Sequence, residues 1–360
     1  MKDRHEGDGT RLYVGLDVSK ERTQVCVVAA CGRVMFEGKT ATDPDALARL
    51  LARQAPGAER IGLEMGAMAS WLWHGLRAHG LPAVCIDARH AHAALSTRIN
   101  KSDRGDARGL AELMRTGWFR EVRARSSGSQ ALRALLAARA QLIRMRADLQ
   151  GQLRGLLKER GIRMPRAIGA MYRRRVREAA GDRIAPDDPM ATIVVTFLSL
   201  HERLCDEQRA MDERIKAAAA RDEATRRLMT VPGVGFVTAS CFRQTIDDAG
   251  RFARSATVGA YLGLTPRRWQ SGEVDRTGRV SKRGSIVMRA LLYEAANVVM
   301  HRLRRPCSLQ AWATALAARI GLRRAKVALA RKLAVVMHAI WVDGTEFDWA
   351  AGRSNPVASA

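Results

Sequence analysis

The first third of the chain alternates short apolar runs with turns. LYVGLDV, TQVCVVA and RVMFEGK fill residues 12–39 and are broken at SKER and CG. Short β-rich runs separated by turn residues predict a three-stranded antiparallel meander. Asp43 and Pro44 then supply an N-cap and a first-turn proline for a helix through ALARLLARQ. RIGLEM (60–65) predicts a buried strand ending on Glu64, followed by a helix containing Trp71 and Trp73 and by the strand AVCID (83–87). After an Arg/His-rich segment, DRGDARGLAELMR predicts a helix starting near Asp103.

From about residue 127 the period changes. Leu135, Leu142, Leu149 and Leu156 recur every seven residues, and Leu132, Leu136, Ile143, Leu153 and Leu157 widen the stripe. Ile193, Phe197, Leu200, Leu204, Met211 and Ile215 form a second stripe of approximate 4-3 spacing. Two such helices joined by an intervening segment predict an antiparallel coiled-coil hairpin or a dimerisation arm. A third region opens at LMTVPGVGFVTAS (228–240). Its PGVG is either a helix-hairpin-helix turn, whose backbone N–H groups can hold a phosphate, or a plain tight turn. GRFARSATVGAYLGL is expected to continue as a helix, and 266–285 to be a polar, basic, Gly-containing loop. Two further helices, MRALLYEAANVVM and KVALARKLAVVMHAIW, and a frayed tail from Gly352 complete the chain. The order βββαβαβα at the start is that of an RNase H-like fold, so the expected class is α/β plus α. The expected domains are 11–122, a coiled-coil arm over 127–227 and a mainly helical domain over 228–349.

Charge decides the class of partner. The 360 residues carry 61 Lys and Arg against 36 Asp and Glu, a formal net charge of +25. A field of that sign recruits polyanions, with binding made salt-dependent by counterion release. No segment approaches about 18 consecutive apolar residues, which argues against a helical membrane span. The opening MKDRHEGDGTR has no signal-peptide apolar region. Six cysteines without a CxxC pair fit reduced, buried thiols of a cytoplasmic protein. His90 and His92 form an HxH with no neighbouring Cys or His to complete a zinc site. Between the two long helices lie Lys158, Arg160, Arg163, Arg166, Arg173, Arg174, Arg175 and Arg177, read as phosphate contacts or as a solvated charged face.

Against this basic background four carboxylates stand at strand ends and at a helix start: Asp17, Glu64, Asp103 and Asp106. Asp103 and Asp106 are three apart and share one helix face. Carboxylates converging from several elements are what two-metal phosphoryl transfer needs, and hard oxygen donors select Mg²⁺ or Mn²⁺. A lone Asp at a strand end is ordinarily a cap, but four in this order point to phosphodiester chemistry.

GLDVSK, LEMGA, KSDRGDA, VPGVGFVTA, PRRWQSG, GRVSKRG and VALARKLAVVMHAIWVDGTEF follow one another in the chain. In that order they resemble the insertion-sequence 110 family, the DEDD transposases also described as bridge-RNA-guided recombinases, over about residues 11–349. The resemblance implies a RuvC-like acidic quartet at Asp17, Glu64, Asp103 and Asp106 and a serine nucleophile at Ser271. Where the family has Ser-Ser-Gly-Gly, this chain has Gln270, Ser271, Gly272 and Glu273. Taken by itself, Ser271 is a turn hydroxyl beside Arg267, Arg268, Arg276 and Arg279, with Lys282 and Arg283 as further nucleic-acid contacts and Ser281 as a rival nucleophile. The resemblance also implies acids from one subunit and serine from another, a homodimer or homotetramer, double-stranded donor and target DNA, and a noncoding guide RNA. A metal-dependent Holliday-junction endonuclease would need the acids without Ser271. A nucleic-acid-binding remnant would need neither.

Overall fold

In the computed structural model, which describes residues 11–96, 102–164, 169–350 and 353–354, the N-terminal apolar runs pair into one sheet. Strands β1 (Leu12–Val18), β2 (Arg22–Ala29) and β3 (Val34–Ala41) form the expected antiparallel meander. Helix α1 (Pro44–Gln54) is capped by Asp43, whose carboxylate accepts from the Ala46 N–H at 2.9 Å. Strand β4 (Arg60–Glu64), helix α2 (Ala69–Ala78) and strand β5 (Ala83–Ile86) follow, with β4 and β5 joining β1 in parallel to give the order β3-β2-β1-β4-β5. The Arg/His-rich segment makes a short helix, α3 (Ala88–Leu95), before α4 (Asp103–Thr116).

Both faces of this sheet are covered, which is why its central strands read as continuous apolar runs. Val14, Leu16, Val25, Val27, Ile61 and Leu63 pack on one face against α1 and α2. Alternate residues Tyr13, Cys26, Val28 and Ile86 pack on the other against Ala107, Leu110, Ala111 and Met114 of α4. Burial pushes the thiols of Cys26 and Cys85 up to about 11 and about 12, so neither is a nucleophile at neutral pH.

The chain divides at Arg125 into this mixed α/β unit and a mainly helical one. The second unit opens with α5 (Ser127–Glu159), α6 (Gly169–Ala180) and α7 (Pro189–Arg221). Arg139 pairs with Asp212, Arg146 with Gln208 at 2.6 Å, Gln150 with His201 at 2.8 Å and Arg160 with Asp188 at 2.7 Å. The first numbers rise as the second fall, so α5 and α7 run antiparallel. The buried line of α7 passes through Val194, Leu198 and His201. Leu200, assigned from spacing to that stripe, is 45% exposed, because His201 takes the interior position. Arg166, Lys101 and the tail from Gly352, apart from the backbone of Arg353–Ser354, lie outside the described residues.

The remainder comprises α8 (Glu223–Leu228), α9 (Phe236–Ile246), α10 (Val258–Tyr261), β6 (Pro266–Ser271), β7 (Val274–Val280), α11 (Ile286–His301), α12 (Ser308–Ile320), α13 (Leu322–Asp343), and the short pair β8 (Phe347–Asp348) and β9 (Arg353–Ser354). Three sequence expectations change here. GRFARSATVGAYLGL is two 3-10 turns and the single turn of α10, because Asp248 and Arg254 are extended and break the helix. The buried His338 pins those turns, accepting from Ser255 Oγ at 2.9 Å and donating to the Ala249 carbonyl at 3.0 Å. Residues 266–280 are a β-hairpin rather than a loop, invisible to period-2 patterning because β6 is exposed along its whole length. Helix α12 was not expected, since SLQAWATALAARI buries only Leu309 and Ala313 and carries little apolar periodicity.

His201 is fully buried, with its ring 4.8 Å from that of Tyr172. Burial, with Arg173 and Arg146 nearby, holds its pKa down to about 4 against an ordinary 6.5. The unfolded chain therefore takes up the proton first as pH falls. The histidine's contribution is full above pH 6.5 and is lost progressively toward pH 4, by about 3 kcal/mol. Far-UV circular dichroism melts should show a midpoint falling across that window, and His201→Gln should flatten the slope. An unchanged slope in the variant would assign it to other groups.

Candidate active site

Strand pairing brings two of the four acids side by side. Strands β1 and β4 are in register through Leu16 and Leu63, so Asp17 and Glu64 occupy the next rung at the carboxyl ends of adjacent parallel strands. Neighbouring strands lie about 4.8 Å apart. Asp17 also pairs with Gln24, Gln24 with Lys39 and Glu64 with Ile86, so one rung crosses the sheet as Lys39-Gln24-Asp17-Glu64-Ile86. Residues two apart on a strand share a face, and Gly15 and Gly62 face α4. Asp17 and Glu64 therefore project on the α4 side, one step beyond the apolar packing. Both are partly buried.

Helix α4 delivers the other pair. A Cβ on Gly15 would lie 2.1 Å from the Ala107 carbonyl oxygen and 2.3 Å from the Ala111 nitrogen, and one on Gly62 would lie 2.6 Å from Met114 Cγ. The helix backbone thus rests directly on the strand backbone. Ser102 caps it, accepting from the Gly105 N–H at 3.1 Å. Its first turn reaches the same rung, because Lys39 Nζ is 3.3 Å from Asp103 Oδ2. Two rungs inward, on the same face, Arg104 Nε donates to Glu37 Oε2 at 2.6 Å. Asp106 sits one turn along, partly buried.

The four acids share one face and one end of the sheet, yet they are not drawn together as a cage. Among the described residues no three His, Cys, Asp or Glu side chains gather closely enough to hold a metal ion. The donor set is all carboxylate, the chemistry a hard divalent cation takes. An ammonium, Lys39, lies against one of those carboxylates. Lys39 and Glu37 escaped sequence reasoning. Both lie on β3, where a lysine and a glutamate between apolar positions read as an ordinary solvated face.

Ser271 lies in the second unit, at the end of β6, paired with Val274 across a two-residue Gly272-Glu273 turn. Gly272 has φ +55 and Glu273 has no positive φ, the pattern of a type II′ hairpin with glycine first. Arg268 pairs with Asp275, its Nε donating to Oδ1 at 2.8 Å. Arg267, Arg276 and Arg279 are exposed. A Cβ on Gly278 would meet Trp269 at 2.2 Å, so the indole lies over Gly278. At its base, Gly263 would strike the Arg283 carbonyl oxygen at 1.9 Å and Gly284 the Tyr261 carbonyl oxygen at 2.4 Å if either carried a side chain. Arg289 locks this contact, donating to the carbonyls of Leu262 at 3.2 Å and Arg283 at 2.8 Å. Lys282 and Arg283 are exposed beside it.

The remaining basic candidates differ among themselves. Arg173 is largely covered and pairs with Glu202 at 3.0 Å. Arg174 is exposed and pairs with Glu178 at 3.2 Å, and Arg175 is half-buried. In VPGVG, Gly233 has φ +78, and its Cα faces the Ala295 carbonyl so closely that a Cβ would lie 2.5 Å away. The glycine is required there by packing against α11 and by the turn.

Residues 14–161 match the DEDD transposase model of IS110 elements, and residues 225–313 match the model described as the transposase IS116/IS110/IS902 family. The chain is 32% identical over 252 residues to the transposase for insertion sequence element IS1328 of Yersinia enterocolitica, covering 69% of this chain and 74% of that one. The chain belongs to the IS110 family of transposases. The transposase for insertion sequence element IS1111A of Coxiella burnetii is 28% identical over 91% of this chain and 88% of its own length. A probable family 20 transposase of Pseudomonas aeruginosa is 29% identical over 67% and 72%. In this transposase the first matched segment contains Asp17, Glu64, Asp103 and Asp106, and the second contains Ser271. No helix among the described residues is long and apolar enough to cross a membrane.

Seating α4 is a backbone matter and can be tested by one methyl group. Gly15→Ala places a Cβ inside the Ala107–Ala111 backbone and should destabilise the α/β unit by about 3 kcal/mol, the upper end of overpacking costs. Gly151→Ala in α5, where a Cβ meets nothing within 4 Å, should instead stabilise by up to about 1 kcal/mol. Urea unfolding of the two variants reads both signs. An unchanged midpoint for Gly15→Ala would mean that α4 does not rest on β1.

Proposed function

We propose that this transposase cuts and rejoins DNA through Ser271, with Asp17, Glu64, Asp103 and Asp106 holding Mg²⁺ or Mn²⁺. The observation that carries the reading is the single rung on which Asp17 and Glu64 stand side by side and to which the first turn of α4 brings Asp103. Four carboxylates sharing one face and one end of the sheet offer the all-oxygen donor set that a hard divalent cation takes. Lys39 against Asp103 is that cation's partial substitute, since its ammonium offsets carboxylate charge without ordering the quartet. The strand order β3-β2-β1-β4-β5 supports an RNase H-like, RuvC-like domain over 11–122. Antiparallel α5 and α7 support a coiled-coil arm over 127–227, and the residues from 228 to 349 form the serine-bearing transposase domain.

Ser271 Oγ attacks a backbone phosphorus and loses its proton. The phosphorus–oxygen bond to one flanking deoxyribose breaks, freeing a hydroxyl and leaving DNA esterified to the serine. A hydroxyl on the exchanged strand then attacks the phosphoserine, reforming a phosphodiester and returning Ser271. A divalent ion held by Asp17, Glu64, Asp103 and Asp106 would supply electrostatic stabilisation of the charge on a transferring phosphate. Arg267, Arg276 and Arg279, with Lys282 and Arg283, clamp the backbone around the hairpin. Arg268, tied to Asp275, holds the hairpin as well as adding charge. Arg173, Arg174 and Arg175 give the arm a second basic surface. The assembly is a homodimer or homotetramer acting in the bacterial cytoplasm, with the acids of one subunit serving the serine of another. Its noncoding bridge RNA selects donor and target by base pairing, while the protein reads backbone and shape.

Purified protein with guide RNA, donor and target DNA and Mg²⁺ should form an SDS-resistant protein–DNA adduct. Ser271→Ala and Asp17→Ala should each abolish it. Cleavage that survives Ser271→Ala would sink the serine mechanism and leave a metal-dependent endonuclease. An adduct retained in Asp17→Ala would remove the acids from the chemistry.

A further inference from the structure

Outside the two sets of residues above, the helical unit holds a groove of about 660 Å³ between the foot of the hairpin and helices α12 and α13. Its floor is apolar, from Leu264, Val327 and Val335, and Trp312 forms one wall. Its rim is cationic: Arg323, Arg324, Arg331 and Lys332. Arg324, Arg331 and Val335 fall at helical spacing along α13, so charge and apolar surface alternate on one face. None of the four cations forms an ion pair among the described residues, although Lys332 Nζ lies 4.3 Å from the centre of the Trp312 ring.

An apolar slot ringed by unneutralised cations fits a ligand that is a planar apolar body flanked by anions. A nucleobase between two phosphates has that form. In a duplex the base faces are hidden by stacking, whereas an unpaired base offers a face to Trp312 and its phosphates to the arginines. The groove volume falls within the range of about 300–1,000 Å³ typical of small-ligand sites. We infer that this groove is a binding site for an unpaired nucleotide of a single-stranded polynucleotide. It would hold a splayed base next to the hairpin that carries Ser271. The inference rests on the reading that the transposase handles nucleic acid, but not on serine chemistry or the acids.

The test uses the full chain with single-stranded DNA and RNA oligonucleotides containing 5-iodouracil, and a blunt DNA duplex as control. Photocrosslinking followed by peptide mass spectrometry should place an adduct on Trp312. Trp312→Leu should weaken single-strand binding at least about fivefold, the loss of one base–aromatic stack, leave duplex binding unchanged, and be rescued by Trp312→Phe. Arg323→Gln with Arg324→Gln should reduce the slope of log affinity against log salt by about 1.4. The DNA and RNA arms identify the source of the strand. Equal losses for duplex and single strand would overturn the inference, as would crosslinks confined to Trp269. A change in sedimentation with oligonucleotide binding intact would make the groove a contact between copies of this chain and equally overturn it. Adduct formation through Ser271 is scored separately, so failure of either claim is recognised on its own.

Discussion

Helix α4 lies against β1 because residue 15 has no side chain. The Ala107 carbonyl and the Ala111 nitrogen occupy the space where a Cβ would stand, and Gly62 admits Met114 in the same way. Everything proposed for the acids depends on that seat. It sets the height at which the helix begins, and so brings Asp103 to the rung of Lys39, Asp17 and Glu64. Packing below the rung is dry, through Tyr13, Cys26, Val28 and Ile86, so the sheet cannot slide under the helix without exposing core. A charged row at the edge of a rigid, buried platform is the arrangement in which carboxylates can be held for an ion rather than for one another.

The second unit solves a different problem, which is to hold an exposed hairpin stiff. Strands β6 and β7 bury almost nothing, so apolar burial cannot fix them. Trp269 laid over Gly278, Arg268 paired with Asp275, and the backbone contacts of Gly263 with Arg283 and of Gly284 with Tyr261, beside Arg289, take that part. Ser271, the proposed nucleophile, stands exposed on this element and is held by it. The groove walled by Trp312 borders the foot of the same hairpin, which joins strand capture to the position of Ser271.

The fold was legible where burial imposes a period. Strands β1 to β5 and helices α1, α2 and α4 were readable because each has an apolar face and standard punctuation, including Asp43-Pro44. The long helices were readable from leucine spacing, but Leu200 was not, since a buried histidine replaced it in the stripe. The hairpin and α12 were hidden because exposed strands and alanine-rich helices leave no apolar rhythm. Among site residues, Asp17, Glu64, Asp103 and Asp106 stood out by contrast with a basic chain. Lys39 did not, because its meaning comes from a cross-strand register that no local motif encodes. Gly15 and Gly284 were likewise silent, each being required by backbone distant along the chain, that of Ala107 and of Tyr261, which only the fold brings near.

The account turns on Asp17, Glu64, Asp103 and Asp106 sharing one divalent ion site. Fe²⁺ substituted for Mg²⁺, with added hydrogen peroxide as oxidant and ascorbate to re-reduce the iron, generates hydroxyl radicals that cut the polypeptide next to the bound ion. Mapping those cuts in the full chain tests the claim directly. Cuts should fall at the ends of β1 and β4 and in the first turn of α4, and should disappear in Asp17→Asn with Glu64→Gln. Cuts elsewhere alone, or cuts at these three places that persist in the double variant, would contradict it.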